Sequence, residues 1–221
     1  MKRFFVSTAL GGDFVLVGQE HNHLANVARC QLSELVVCIN GDLFDYTYRI
    51  EKISRSGTNL GFISKTKNSC NPTERSTVFQ SVIKPDNMAW VVEKLNELGV
   101  IDFIPFTSRN SNHNVNIEKL QLIANQSCKQ CGRSVPIKVH PTLTFDEVVR
   151  NLLNYDSVYL ADINGGKIKD VGKNPAIIVG PEGGLTDDEK EQLNITRVSL
   201  GPRILRAETA AIAMTVMIML C

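Results

Sequence analysis

Two segments near the end of the 221-residue chain carry residue types that suit ligand binding. The first, residues 180–186 (GPEGGLT), directly follows the apolar run at residues 176–179. Its glycines leave the main chain bare, so a ligand can approach the backbone amide and carbonyl groups. A tight strand-to-helix connection explains the same glycines without any ligand. The segment matches neither the phosphate-binding loop nor the dinucleotide fingerprint, which disfavours NTP and NAD.

The second segment, residues 200–210 (LGPRILRAETA), places Arg203, Arg206 and Glu208 at the start of an apolar helix. Charged side chains at such a position are costly unless they are paired or face a ligand. Solvated charges at the end of a helix are the alternative interpretation.

The elements that must position these segments alternate between strands and helices. Apolar runs and helical spacing predict strands at 78–83, 100–106, 137–139, 157–160, 176–179 and 198–200, and helices at 85–98, 117–129 and 145–153. Thr186 followed by Glu189 is a capping box, which predicts a further helix after the glycine segment. The alternation predicts an α/β domain with a largely parallel sheet over residues 74–221.

The first seventy residues have a different pattern, typical of short strands. Residues 35–39 are apolar throughout, and residues 44–53 alternate between apolar and polar side chains. The turn-forming residues Asn40-Gly41-Asp42 lie between the two ranges, so the pattern predicts a β-hairpin. Residues 21–29 favour a short helix. The pattern predicts a small β-barrel over residues 1–70, followed by a polar linker or exposed hairpin at 55–77.

The amino-acid composition excludes several classes of protein. With 43% hydrophobic and 21% charged residues the chain can bury a core, and 24 basic against 23 acidic residues exclude a globally basic nucleic-acid coat. Its longest apolar run, residues 210–220, is about half a membrane span, and the amino-terminal residues lack the core of a signal peptide. Six irregularly spaced cysteines favour a reduced, cytoplasmic location.

The pair Cys128-x-x-Cys131 has no partner pair of cysteines or histidines. A zinc site needs about four ligands, so we predict no metal site. Packing is the favoured interpretation of the pair, with metal binding or redox chemistry as the alternatives.

Taken together, the two C-terminal segments resemble those of the SPOUT methyltransferases. They are similar in particular to the bacterial RNA small subunit methyltransferase E family, which methylates N3 of a uridine in 16S ribosomal RNA. Further similarity lies in residues 88–100 (MAWVVEKLNELGV), in residues 107–109 (TSR) and around residues 23–29. The resemblance covers nearly the whole chain.

The resemblance implies a C-terminal SPOUT domain with a deep trefoil knot, preceded by a PUA-like RNA-binding barrel. In similar proteins S-adenosylmethionine sits bent in the knot, held by three loops, which here follow Leu160, Val179 and Leu200. The implied cofactor-binding residues are Leu160, Gly180, Pro181, Glu182, Gly183, Gly184, Leu200, Gly201, Ile204, Leu205, Thr209 and Ala210. The implied RNA-binding residues are Arg3, His23 and Arg29, although ordinary solvation explains each charge on the barrel equally well.

The implied reaction assigns roles to the charged residues. Uracil N3 must lose a proton, and the anion that forms needs cations at its carbonyl oxygens. Arg206, Arg203 and Arg109 are the residues implied for the second role. Glu208 either accepts the proton, orients an arginine or caps its helix, and Glu182 is another candidate acceptor. The uridine must leave its stack to reach such a site.

The family likeness also implies partners. These are 16S ribosomal RNA or the small subunit, and a second copy of the chain that pairs through the knot helices, with no membrane. Residues 210–220 lie at that interface, in the core, or in both. Ala89 and Ser108 stand where the family usually has acidic residues. These departures leave a second hypothesis, a SPOUT homologue that binds RNA as a ribosome-binding module without turnover.

Overall fold

The computed structural model describes residues 1–8, 10–168 and 170–219. They form two compact units, one of residues 1–71 with 125–136, the other of residues 72–124 with those described from 137 onward. The division after residue 71 lies beside the predicted boundary, and residues 125–136 group with the first unit although the sequence pattern placed them in the second. Leu220 and Cys221, at the end of the predicted C-terminal helix, lie outside the described residues.

The first unit is built on a five-stranded sheet that curls into a half-barrel. Its strands pair in the order β1-β3-β4-β5-β2, with β1 parallel to β3 and the other pairs antiparallel. The strands are β1 (Lys2–Phe5), β2 (Phe14–Leu16), β3 (Leu35–Ile39), β4 (Phe44–Ile53) and β5 (Thr58–Lys67). Helix α1 (Gly18–Asn22) continues into a π-helical turn (His23–Val27), close to the short helix predicted at 21–29.

The predicted hairpin is confirmed as β3 and β4. Val36 pairs with Tyr48, and the alternation of β4 buries Tyr46, Tyr48 and Ile50 in the core of the unit. Asp42 organises the turn, because its side chain accepts hydrogen bonds from the Phe44 amide at 2.9 Å and from the Tyr46 hydroxyl at 2.6 Å.

Of the two structures predicted at residues 55–77, the linker is wrong for residues 58–67, which form β5. The alternative, a hairpin, is confirmed in part, because β5 is the second strand of a hairpin with β4. This strand pairs with β4 along its length, with Leu60 opposite Ile50. Thr58 and Leu60 are buried while Asn59 and Ile63 are exposed, so one face of the strand is solvated and its polar residues resemble a loop.

The second unit is an α/β structure with a parallel sheet, as predicted. Its strands pair in the order β12-β10-β11-β6-β7-β8, and β9 also pairs with β7. The strands are β6 (Thr77–Ser81), β7 (Asp102–Thr107), β8 (Lys138–Val139), β9 (Leu143–Thr144), β10 (Ser157–Gly166), β11 (Pro175–Val179) and β12 (Thr196–Val198). The central strands β6 and β11 are fully buried, as expected where helices cover both faces.

The remaining helices lie close to their predicted positions. They are α2 (Pro85–Glu97), α3 (Ile117–Cys131), α4 (Phe145–Asn151), α5 (Asp187–Leu193) and α6 (Ala207–Met219). Pro85 begins α2, and Gly99 ends it with a φ of +92°, a conformation that glycine adopts without strain. Within the described ranges no helix is both long enough and apolar enough to cross a membrane.

Two helices pack against each other over the sheet. Met88, Val91, Val92 and Leu95 form the buried face of α2, and they share one core with residues of α6. Because β10, β11, β12, β6 and β7 all run parallel, their carboxyl ends meet at one edge of the sheet. Loops that leave this edge are the usual place for a ligand in such folds.

Candidate functional site

A cavity of about 530 Å³ opens at this edge of the sheet, between the loop that follows β11 and the segment that leads into α6. That volume is within the range of small-molecule sites. All but one of the predicted cofactor-binding residues line it, namely Leu160, Gly180, Pro181, Glu182, Gly183, Gly184, Leu200, Gly201, Ile204, Leu205 and Ala210. The exception is Thr209, which is exposed on α6.

The loop at residues 180–186 forms a bare main-chain wall. A Cβ at Gly180 would lie 3.1 Å from the Leu185 amide nitrogen, so a side chain there would be in tight contact with the backbone of the same loop. The Gly184 amide closes a turn on the Pro181 carbonyl at 2.8 Å. Backbone groups of this loop are therefore fixed in place and accessible to a ligand.

A confirmed capping box links this loop to α5. The Thr186 hydroxyl accepts a hydrogen bond from the Glu189 amide at 3.3 Å, and the Glu189 carboxylate accepts one from the Thr186 amide at 2.8 Å. The other carboxylate oxygen of Glu189 accepts a hydrogen bond from the backbone amide of Arg109 at 2.8 Å. One buried carboxylate thus holds the start of α5 and the loop after β7 together.

Two side chains that sequence reasoning missed also hold the glycine loop. The Asn110 amide donates to the carbonyls of Gly183 and Gly184 at 3.3 and 2.9 Å, and the buried Gln80 amide donates to Gly180 at 3.3 Å. Both residues follow or end strands that are parallel to β11, so their place at this edge of the sheet was the available signal.

The segment before α6 supplies positive charge to the cavity. Arg203 and Arg206 both line it and are exposed, and no acidic group within 4.0 Å pairs with either guanidinium in the described ranges. Ile204, between them, is 90% exposed although it lines the same cavity. The arrangement leaves two unpaired cations and an apolar side chain available to a bound molecule.

Glu208 lies in the first turn of α6 and is 4% exposed. It does not line the cavity, and within the part of the chain that the structure describes its Oε2 atom has no hydrogen-bond partner. A buried carboxylate without a full set of partners is costly, and the positive end of the helix dipole offsets part of that cost. The hydrogen bonds leave its three predicted roles open.

The structure separates Arg109 from the other two arginines. Its guanidinium pairs with Asp188 at 2.9 Å, and both side chains are mostly exposed. Arg109 lines a smaller cavity of about 360 Å³, together with Thr144 and Asp146. Its backbone amide donates to Glu189, so both the main chain and the charge of Arg109 connect it to the first turn of α5.

Asp162 and Lys190 form a charged pair in the wall of the first cavity that the sequence did not indicate. Lys190 Nζ lies 3.1 Å from Asp162 Oδ2, and the Asp162 side chain is 3% exposed. Burial raises the pKa of the Asp162 carboxyl, but the Asn164 amide at 2.9 Å and the Lys190 ammonium outweigh it, so its pKa is below the usual value.

The predicted RNA-binding residues lie on the first unit in different environments. The Arg3 guanidinium makes a two-point contact with Asp45 at 2.7 and 2.9 Å. His23 is half-buried, 5.5 Å from the Phe4 ring centre and 3.9 Å from a Glu20 oxygen. Arg29 is exposed, in a left-handed conformation with a φ of +48°.

Cys128 is fully buried and packs with Val37 and Ile39 of the first unit. In the described ranges no cluster of three or more histidine, cysteine or acidic residues is placed to hold a metal ion.

The sequence of this chain was compared with models of known protein families. Residues 69–219 match the family model described as "RNA methyltransferase domain". This chain belongs to that RNA methyltransferase family.

Similar members of the family span almost the same length. A ribosomal RNA small subunit methyltransferase E from Rickettsia conorii is 30% identical, over 89% of this chain and 85% of that protein. The protein of that name from Bacillus subtilis is 25% identical, over 95% of this chain and 93% of its own.

A crystal structure from Neisseria gonorrhoeae has a similar fold throughout. It is of a ribosomal RNA small subunit methyltransferase E bound to S-adenosyl methionine, and it aligns with a TM-score of 0.89 and 26% identity. The alignment covers 97% of this chain and 95% of that one.

Proposed function

We propose that this protein transfers a methyl group from S-adenosylmethionine to N3 of a uridine in 16S ribosomal RNA. The observation that carries the proposal is the cavity at the carboxyl ends of β10 and β11, with a bare glycine wall on one side and two unpaired arginines on the other. Membership of the RNA methyltransferase family and the names of its full-length relatives support it.

The residues present fit the cofactor. Leu160, Leu185 and Leu200 offer apolar surface to an adenine ring, and the main chain around Gly180 and Gly183 offers amide and carbonyl groups to its polar edge and the ribose. When bound, S-adenosylmethionine supplies an electrophilic methyl group on a sulfonium. Alignment of the acceptor nitrogen with that group accounts for much of the rate of such a displacement.

The charged residues of the second segment act on the acceptor base. Arg203 and Arg206 stabilise the uracil anion at its carbonyl oxygens, because both line the cavity and neither guanidinium pairs with an acidic group in the described ranges. Glu208 is buried outside the cavity lining, and its unsatisfied oxygen supports a role in orienting an arginine. Glu182 lines the cavity and is the candidate acceptor of the N3 proton. Arg109 acts further from the base, since it lines the neighbouring cavity.

The first unit is proposed to be a PUA-like barrel that binds RNA. Arg29 is exposed and His23 half-buried, so both can reach a phosphate, whereas Arg3 must first give up its contact with Asp45. Contacts of this kind are sensitive to salt. The curled sheet and its exposed basic side chains support the assignment.

Two further features are proposed from the resemblance to SPOUT proteins, a deep trefoil knot around the cavity and a homodimer that pairs through the knot helices. A cytoplasmic location is proposed from the irregular spacing of the six cysteines. Ile212, Ala213 and Val216 of α6 are apolar and only partly buried within one copy of the chain, which supports pairing through this helix.

The test uses small ribosomal subunits that lack the modification. They are incubated with the protein and labelled S-adenosylmethionine, and the modified uridines are then mapped by mass. We expect one uridine to gain a methyl group at N3. Binding of both cofactor and RNA without transfer would instead support a ribosome-binding module, a function that the unpaired arginines in the cavity do not favour.

A further inference from the structure

The cavity is lined mostly by apolar groups and main chain, and among its lining residues in the described part of the chain Asp162 and Lys190 form the one ion pair. Asp162 lies on β10 and Lys190 on α5, so two separate elements bring their charges into the same wall. Arg203 and Arg206 come from a different part of the chain, the segment before α6. The proposed reaction does not use Asp162 or Lys190.

The two members of the pair are placed differently. The carboxylate of Asp162 is almost fully buried, and its Oδ1 atom already accepts the Asn164 amide at 2.9 Å. Its Oδ2 atom receives no aligned hydrogen bond from the described residues although the ammonium is 3.1 Å away. Lys190 retains 23% side-chain exposure. An ammonium has three donors, and in the described ranges Asp162 is its only acidic neighbour within 4.0 Å.

We propose that Lys190 binds the carboxylate at the amino-acid end of the methyl donor and that Asp162 is a positioning residue that holds the ammonium in place. The inference rests on the proposed function and names a subsite within the same cavity. The donor has one anionic group, its α-carboxylate, and the adenine and ribose are matched by the uncharged walls. A charge-assisted hydrogen bond is the strongest polar contact available to that carboxylate.

The test is calorimetric binding of two probes to the full-length protein. S-adenosylhomocysteine carries the amino-acid end, and 5′-methylthioadenosine has the same adenosine but lacks that end. We expect Lys190→Gln to weaken S-adenosylhomocysteine about tenfold or more, as for the loss of a hydrogen bond to a charged group, and to leave methylthioadenosine within twofold. Asp162→Asn weakens S-adenosylhomocysteine by a smaller factor, because the ammonium is retained but less well held.

The double variant Asp162→Asn/Lys190→Gln guards against misfolding, because it removes both charges and leaves no buried carboxylate unpaired. It has the same probe-selective loss as Lys190→Gln. Lys173→Gln, at an exposed lysine that does not line the cavity, is the matched control and binds both probes normally. An equal loss for both probes, or no loss for either, overturns the subsite while leaving the cofactor cavity in place. Failure of the unaltered protein to bind either probe overturns the cavity assignment and the subsite together.

Discussion

Replacement of Gly180 by alanine tests whether the glycine wall of the cavity is held as tightly as the structure indicates. The new Cβ would lie 3.1 Å from the Leu185 amide nitrogen and 3.3 Å from Leu185 Cγ. The nitrogen belongs to the backbone directly after the turn that Gly184 closes on Pro181, so it can yield only if the loop shifts by a few tenths of an ångström.

Overpacking of this kind costs about 1–3 kcal/mol. For a chain of this size each kilocalorie lowers the melting temperature by about 2–4 °C. We therefore expect Gly180→Ala to melt between about 2 and 12 °C lower. The displaced wall also carries backbone groups of the cofactor site, so affinity for S-adenosylhomocysteine falls about tenfold.

The assay is thermal unfolding with and without S-adenosylhomocysteine, together with calorimetric binding. Gly166→Ala is the matched control, because it makes the same change where a Cβ has no atom within 4 Å, and we expect no loss of stability or affinity there. If Gly180→Ala melts and binds like the unaltered protein, the contact with Leu185 does not restrict this wall and the reasoning is refuted.

Four further predictions address the other parts of the site. Arg206→Gln lowers the methylation rate about a hundredfold, because a preorganised donor to a developing anion is lost, and changes S-adenosylhomocysteine affinity much less. Thr186→Ala lowers the free energy of unfolding by about 1 kcal/mol through loss of the cap and also weakens cofactor binding. Arg29→Ala reduces the slope of log affinity for RNA against log salt by about one. The pKa of Asp162 is lowered in the folded state, so the stability it confers over Asp162→Asn is complete above the usual aspartate pKa, about 4, and is lost as the pH falls through the lowered value.

The controls separate local from general effects. Arg150→Gln, at an exposed arginine that does not line the first cavity, retains the methylation rate and the salt slope. Thr144→Ala breaks the equivalent capping box of α4 and lowers stability similarly without changing cofactor affinity. A fall in cofactor affinity as large as the fall in rate would contradict the role given to Arg206. Denaturant unfolding from pH 7 to pH 3 checks Asp162, and a pH-independent difference from Asp162→Asn contradicts the linkage.

Residues close to the ends of each helix or strand were enough to predict most elements of the second unit. Pro85 and Gly99 mark the two ends of α2, and Thr186 with Glu189 marks the start of α5, because these signals act within one helical turn. Strand β5 lacked such a signal. Its solvated face gives it the composition of a loop, and only pairing with β4 and β2 makes it a strand.

The cavity likewise has parts that neighbouring residues reveal and parts that only the packing of distant segments creates. Its glycine and arginine segments are contiguous in sequence, so their composition reveals them. Asp162 and Lys190 are brought together by the packing of α5 beside β10, and neither has an unusual neighbour along the chain. Asn110 and Gln80 support the glycine loop from other strands of the sheet, and only the pairing order of those strands places them there.

The strand order also has a consequence for biosynthesis. The central strand β6 pairs with β11, in a register that places Thr77 beside Ala176, so roughly one hundred residues separate the partners. Until β11 has left the ribosome, β6 lacks its partner along one edge, and an open strand edge is a template for aggregation. A chaperone that shields β6 would therefore raise the yield of the full-length chain, and fragments that stop before residue 175 would precipitate.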